Sequence, residues 1–204
     1  MTNTNSPVTH TDPRPNFFAA VDLGRSVVAG IRPDQFDNAT PCGKYDVRGM
    51  VGHVVSVLQR LAVVGAGGDP FEAPDVRQGV ADTDWLDAWD VEEAAVREVW
   101  WDDTVLVNML RLPWATMPGS VALPLYVSEI TVHTWDIATA TGQRPSFDDG
   151  VLSMSIEAMH AGLPAEGRSD VNEYIPFGPV VAVPVDAPAI DRLVAWTGRD
   201  PQFA

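Results

Sequence analysis

The chain has 204 residues and a formal net charge of −15, enough length for one domain with its own core. Only thirteen residues are basic, and Lys44 is the sole lysine, so phosphate backbones and anionic lipid are repelled and nucleic acid and membrane are excluded as partners. A single cysteine, Cys42, rules out an intrachain disulfide, and no apolar run reaches the ~18–20 residues of a membrane span, a pattern that fits a reducing cytoplasm.

The N-terminal stretch, residues 1–15, has no basic segment followed by an apolar one and reads as a flexible polar tail, with no role for His10. A first helix is predicted over 16–31, where Phe17, Val21, Val28 and Ile31 recur at helical spacing. Gly24 should weaken it by about 1 kcal/mol relative to Ala, and Arg32-Pro33 should end it. A loop dense in Pro, Asp, Asn and Gly follows over 32–46. Asp46 is positioned to cap a second helix, 47–64, with an apolar stripe of Val47, Met50, Val51, Val54, Val57, Leu58 and Leu61. His53 falls at the edge of that stripe. The glycines of 65–68 stop the helix, and 65–81 reads as a surface loop.

A third helix is expected over 82–103, with Trp85, Leu86, Trp89, Val96, Val99 and Trp100 set among acidic residues. Residues 104–120 lack helical periodicity and carry a central proline, which reads as a short hairpin or extended excursion. The fourth helix runs from Val121 to about Thr141, inside the stretch GSVALPLYVSEITVHTWDIATATG. Leu123, Tyr126, Val127, Ile130, Thr134 and Ile137 form its core stripe, and Glu129, His133 and Asp136 form a polar stripe beside it. Pro124 is placed in the first turn, where it is tolerated, and Gly142 is the expected terminating glycine. A shorter helix over 148–163, a Pro-rich loop over 165–186 with an extended piece near 180–183, and a short helix within 187–201 complete the chain. Four helices with polar residues meeting inside point to a bundle. Residues 16–142 are taken as that bundle, and 143–204 as a small extension packed on the same domain.

Glu129 and His133 stand four residues apart, so they project from one helical face and can bind one ion. A carboxylate bordering an apolar stripe needs a partner to offset its burial. His53, at a comparable boundary on another long helix, is the best third ligand. Two nitrogens and one oxygen suit zinc, with nickel or iron also compatible, and three protein ligands leave a position open for chemistry. Asp136 either orients an imidazole from behind or is hydrogen-bonded within the bundle. Glu157 and His160 read as a solvated pair, and Cys42 as a buried structural residue rather than a nucleophile. Trp114 and Trp135 are candidate pocket walls.

TPCGKYDVRGMVGHVV and ALPLYVSEITVHTWDIATATGQ resemble the loop-to-helix segment and the metal-binding helix of the mycothiol-dependent maleylpyruvate isomerase N-terminal domain. FGPVVAVPVDAPAIDRLVAWTGRDP is similar to the ending of a single-domain actinobacterial subgroup described only as metal-binding, and the Ala-, Val-, Gly- and Arg-rich, Lys-poor composition fits a GC-rich genome. The resemblance implies a mainly α, DinB-like up-down four-helix bundle, with the short β-hairpin before its fourth helix. It implies a divalent metal held by His53, Glu129 and His133. It also implies a low-molecular-weight thiol such as mycothiol as cosubstrate, acting on a small electrophile by S-transfer or isomerisation. The isomerase's additional C-terminal domain has no counterpart in these residues. Metal-activated hydrolysis and non-catalytic metal or small-ligand binding stand as alternatives. The expected partners are a small-molecule substrate and a thiol, with a homodimer left open beside a monomer.

Overall fold

The structure is a computed structural model that describes residues 12–168 and 177–203. The expected tail up to residue 11, with His10, and the centre of the 165–186 loop lie outside the described residues. Seven helices and one two-stranded hairpin are formed among the described residues, so the protein is mainly α. They are α1 (Arg14–Ala29), α2 (Val47–Gly65), α3 (Trp85–Trp100), α4 (Thr104–Val107), α5 (Gly119–Ala140), α6 (Asp149–Gly162) and α7 (Ala189–Trp196). The antiparallel hairpin pairs β1 (Met109–Arg111) with β2 (Thr116–Pro118), immediately before α5.

Four long helices close a ring: α2 packs on α3 and α5, and α1 packs on α3 and α5. The core between them is built from the stripes read in the sequence. Phe17, Val21, Met50, Val54, Leu58, Leu61, Trp89, Trp100, Leu123, Ile130 and Ile137 are all buried there. A second, smaller cluster of Val132, Leu152, Met159, Leu163 and Leu193 joins α5 to α6 and α7. Helix α5 is therefore covered on two sides, and even its polar residues Ser128, Thr131, Thr134 and Asp136 are buried. Helix α2 is the one described helix long and apolar enough, by length and composition, to cross a membrane, and 67% of that window is buried inside the protein.

Several boundaries differ from the sequence reading, each for a local reason. Helix α1 starts at Arg14 because Pro15 sits in its first turn, where a missing N–H costs nothing, and it ends at Gly30, before Arg32-Pro33. Helix α3 is shorter than expected. Asp102 accepts a hydrogen bond from the Thr104 backbone at 2.8 Å and opens the single turn α4, so the chain leaves the helix there and Trp101 is 84% exposed. Helix α5 begins at Gly119, which puts Pro124 inside the helix rather than in its first turn. Asp46 caps α2 through the Gly49 N–H at 2.7 Å, and Asp148 caps α6. Gly142 takes the left-handed conformation with φ 70°. Residues 180–183 form no strand; Val181 makes a single backbone bond to Ala195 at the end of α7.

Gly24 is explained by packing. A Cβ at this position would lie 2.8 Å from the Trp89 ring and 3.0 Å from the Thr134 hydroxyl, so a side chain would push α1 off α3 and α5. Gly24→Ala gains about 1 kcal/mol of helix propensity but overpacks a tight site, which costs about 1–3 kcal/mol. The expected outcome is a net loss of roughly 1 kcal/mol, read as a lower midpoint in urea unfolding, the reverse of what propensity alone dictates.

Candidate metal centre

The packing of α2 against α5 brings together residues 76 positions apart in the chain. His53 Nε2 lies 3.2 Å from Glu129 Oε1, and His133 Nε2 lies 3.4 Å from the same oxygen. One donor atom from each of the three residues falls within 4.8 Å of the others. The two imidazoles meet edge to face, with centroids 5.1 Å apart. A tetrahedral ion with bonds of about 2.0–2.1 Å has ligand edges of ~3.3 Å, so the spacing fits one small cation among the three. No fourth His, Cys, Asp or Glu joins the cluster among the described residues.

Each ring is held from behind. His53 Nδ1 is 2.8 Å from the Asp75 carbonyl, which can only accept, so Nδ1 carries the proton and Nε2 faces Glu129. His133 Nδ1 donates in the same way to Asp136 Oδ2 at 2.9 Å. Asp136 therefore sits against an imidazole, and Arg199 closes on its far side with Nη2 3.2 Å from Oδ2 and Nε 3.4 Å from Oδ1. Tyr45 stacks on His53 with centroids 5.4 Å apart. A neutral imidazole has one N–H and satisfies one acceptor. Both rings have an acceptor at each nitrogen, so a proton or a cation between Nε2 and Glu129 would satisfy the contact.

The electrostatics follow from these contacts. Burial raises the Glu129 carboxyl, but the hydrogen bonds and charges of His133 and His53 outweigh it and hold Glu129 well below the ordinary carboxylate range. Burial opposes the His133 imidazolium, yet the bonds to Asp136 and Glu129 push His133 up to about 9. Asp136 is lowered against its own burial by Arg199 and His133. Burial raises the Tyr126 hydroxyl, one turn before Glu129, with the Glu129 charge adding to it.

Sequence reasoning missed several participants. The loop over 65–81 lies at the surface as expected, and it also reaches the cluster through the Asp75 carbonyl. Arg60, buried on α2, binds the carbonyls of Pro70, Ala73 and Pro74 and so pins the loop that presents the Asp75 carbonyl to His53. Gly52 permits the approach, since a Cβ there would fall 2.6 Å from the Arg77 carbonyl. Arg199 carried no signal either, because it reaches Asp136 across 63 residues. Other candidates are not at the cluster. Glu157 and His160 are exposed on α6, where His160 lies against Trp196 at 4.1 Å. Cys42 is a free thiol, half-buried rather than buried. Trp135 is buried and Trp114 is 59% exposed, packed beside Tyr126.

The family model of the mycothiol maleylpyruvate isomerase N-terminal domain matches residues 17–138, more than half of the chain. The chain belongs to this family. It is similar to the uncharacterized proteins MT0763 and Rv0738 of two Mycobacterium tuberculosis strains, each 26% identical over 180 residues, covering 88% of this chain and 93% of theirs. No solved structure matches. The matched region holds all three clustered residues and Asp136, while Arg199 lies beyond it.

The pKa directions dictate a pH profile for the metal-free protein. His133, raised by folding, contributes stability that is complete below its ordinary value of 6.5 and is lost as the pH rises through about 9. Glu129, lowered by folding, contributes stability that is complete above its ordinary value of 4.5 and is lost as the pH falls through its folded value. Chelator-treated protein should therefore show a melting temperature that declines between about pH 6.5 and 9.5, and His133→Gln should flatten that decline. A flat profile in the unsubstituted protein refutes the charge arrangement.

Proposed function

We propose that this protein binds one divalent metal ion, zinc first among the candidates and nickel or iron next, through His53, Glu129 and His133. In this reading it uses the open position for a low-molecular-weight thiol of the mycothiol kind in S-transfer to, or isomerisation of, a small electrophile. The observation that carries the reading is the double acceptor environment of both imidazoles. With Nδ1 committed to Asp75 and Asp136, each Nε2 offers its lone pair toward one shared point beside Glu129. One divalent cation there neutralises the carboxylate and satisfies both rings at once. The three donors are of the kind zinc accepts, and the absence of a fourth from the described residues is the pattern of an open rather than a closed site.

A bound zinc would supply Lewis acidity, lowering the pKa of a thiol held at the open position so that it stands as thiolate. The protein's own residues do the rest. His53 and His133 stay aimed because their Nδ1 protons are held from behind, and Glu129 contributes the charge that favours a cation. The thiol rests on the family's description, which names mycothiol. The strongly acidic surface favours a small-molecule partner over nucleic acid. The charge and the buried α2 suit a cytoplasmic protein.

Purified protein should carry about one equivalent of zinc by elemental analysis, and His133→Ala should lose it. Equal metal content in the two would end the proposal. Zinc must displace the proton at His133 Nε2, so affinity in chelator competition should rise between about pH 6 and 9. With cobalt in place of zinc, adding mycothiol should produce a sulfur-to-metal charge-transfer band. Retained cobalt with no such band would overturn the thiol assignment and leave the metal site standing.

A further inference from the structure

We propose that Arg199 is a positioning residue of the metal centre: it locks Asp136, and through Asp136 the ligand orientation of His133, so that the segment after α7 is part of the site. This rests on the metal-binding reading above.

Asp136 has no exposed side-chain surface, and its Oδ2 accepts from two donors at once, His133 Nδ1 at 2.9 Å and Arg199 Nη2 at 3.2 Å. The second contact, from Arg199 Nε to Oδ1, makes the guanidinium a two-pronged clamp that fixes the carboxylate's rotation. The carboxylate plane in turn fixes the direction of the His133 N–H, and with it the direction of Nε2. Arg199 is itself rigidly placed. Its Nη1 donates to the Thr197 carbonyl at 2.9 Å, and its backbone N–H bonds to Val194 at 2.9 Å. The preceding Gly198 has φ 85° and lies so close to Gly178 that a Cβ would fall 2.8 Å from its backbone.

A structural role for this pair is the weaker explanation. A buried ion pair often adds nothing to stability over a well-packed apolar pair, because desolvating both charges cancels their attraction. Its value here is directional. The arrangement also recurs on the other ligand: Arg60 pins the loop whose Asp75 carbonyl holds His53 Nδ1. Each imidazole is thus aimed by an acceptor that a buried guanidinium immobilises.

The test measures zinc affinity by chelator competition, the cobalt visible spectrum, and the melting temperature of the metal-free protein. The variants are Arg199→Gln, Arg199→Lys, Asp136→Asn and the Arg199→Gln, Asp136→Asn pair. Arg199→Gln should weaken zinc binding by about 10–100-fold and alter the cobalt bands, as loss of an outer partner of a metal ligand does. Arg199→Lys should recover part of the affinity, since it restores the charge without the fork. In the Asp136→Asn background, Arg199→Gln should change affinity by less than about 2-fold, because the two act in series. Arg199→Gln with a lowered melting temperature but unchanged affinity and cobalt spectrum would overturn the proposal, as would losses that multiply in the pair. If Arg199→Gln does not fold, Arg199→Lys beside Asp136→Asn decides the same question by the same readouts. Unsubstituted protein that binds neither zinc nor cobalt overturns the metal reading and this inference together; tight binding with indifferent Arg199 variants overturns only the inference.

Discussion

Asp136 is a carboxylate with no access to water, about one turn from the C-terminal end of a helix that is covered on both sides. An isolated buried carboxylate costs several kcal/mol, so its neighbours must offset the cost. The response runs as a line of alternating charge: the Arg199 guanidinium, Asp136, the His133 imidazole, Glu129, and then His53 on the facing helix. Asp136 and Glu129 each have a cationic or imidazole partner on both sides. The line ties α5 to α2 in one direction and to the segment after α7 in the other.

That line explains why so polar a set of residues is tolerated beside Leu123, Ile130 and Ile137. It also gives the site its polarity. Behind each imidazole lies a fixed acceptor, Asp75 or Asp136, and in front lies the half-exposed Glu129. The front is the side on which both Nε2 atoms and Glu129 Oε1 converge. The bundle thus supplies a packed pair of helices that carry His53, Glu129 and His133, and the loop after α2 and the segment after α7 supply the groups hydrogen-bonded behind the imidazoles.

Most of the architecture was legible from periodicity. The stripes on α2 and α5 are buried as read, and Asp46 caps α2, because helical spacing and local capping depend on neighbours within a turn or two. The misreadings and omissions share one cause. Gly24 looked like a weakness because propensity ignores the Trp89 ring packed against it. Residues 65–81 are a surface loop as read, but its anchoring by Arg60 escaped notice because those bonds are invisible to local pattern. The covering of α5 by α6 and α7 on a second side was not read at all, because those helices lie later in the chain.

The candidate site divides the same way. Spacing alone placed Glu129 and His133 on one face, since a helix fixes the relation of residues four apart whatever surrounds it. The sequence also put His53 at the edge of an apolar stripe, which made it eligible. Only the tertiary structure decided that His53 meets the pair, that Asp136 lies behind His133, and that Asp75 and Arg199 complete the two sides. The contacts of His53, Asp75 and Arg199 cross from 22 to 76 positions of chain, whereas Asp136 stands three from His133. They are set by how the helices pack, which is a property of the whole core and not of any single stretch.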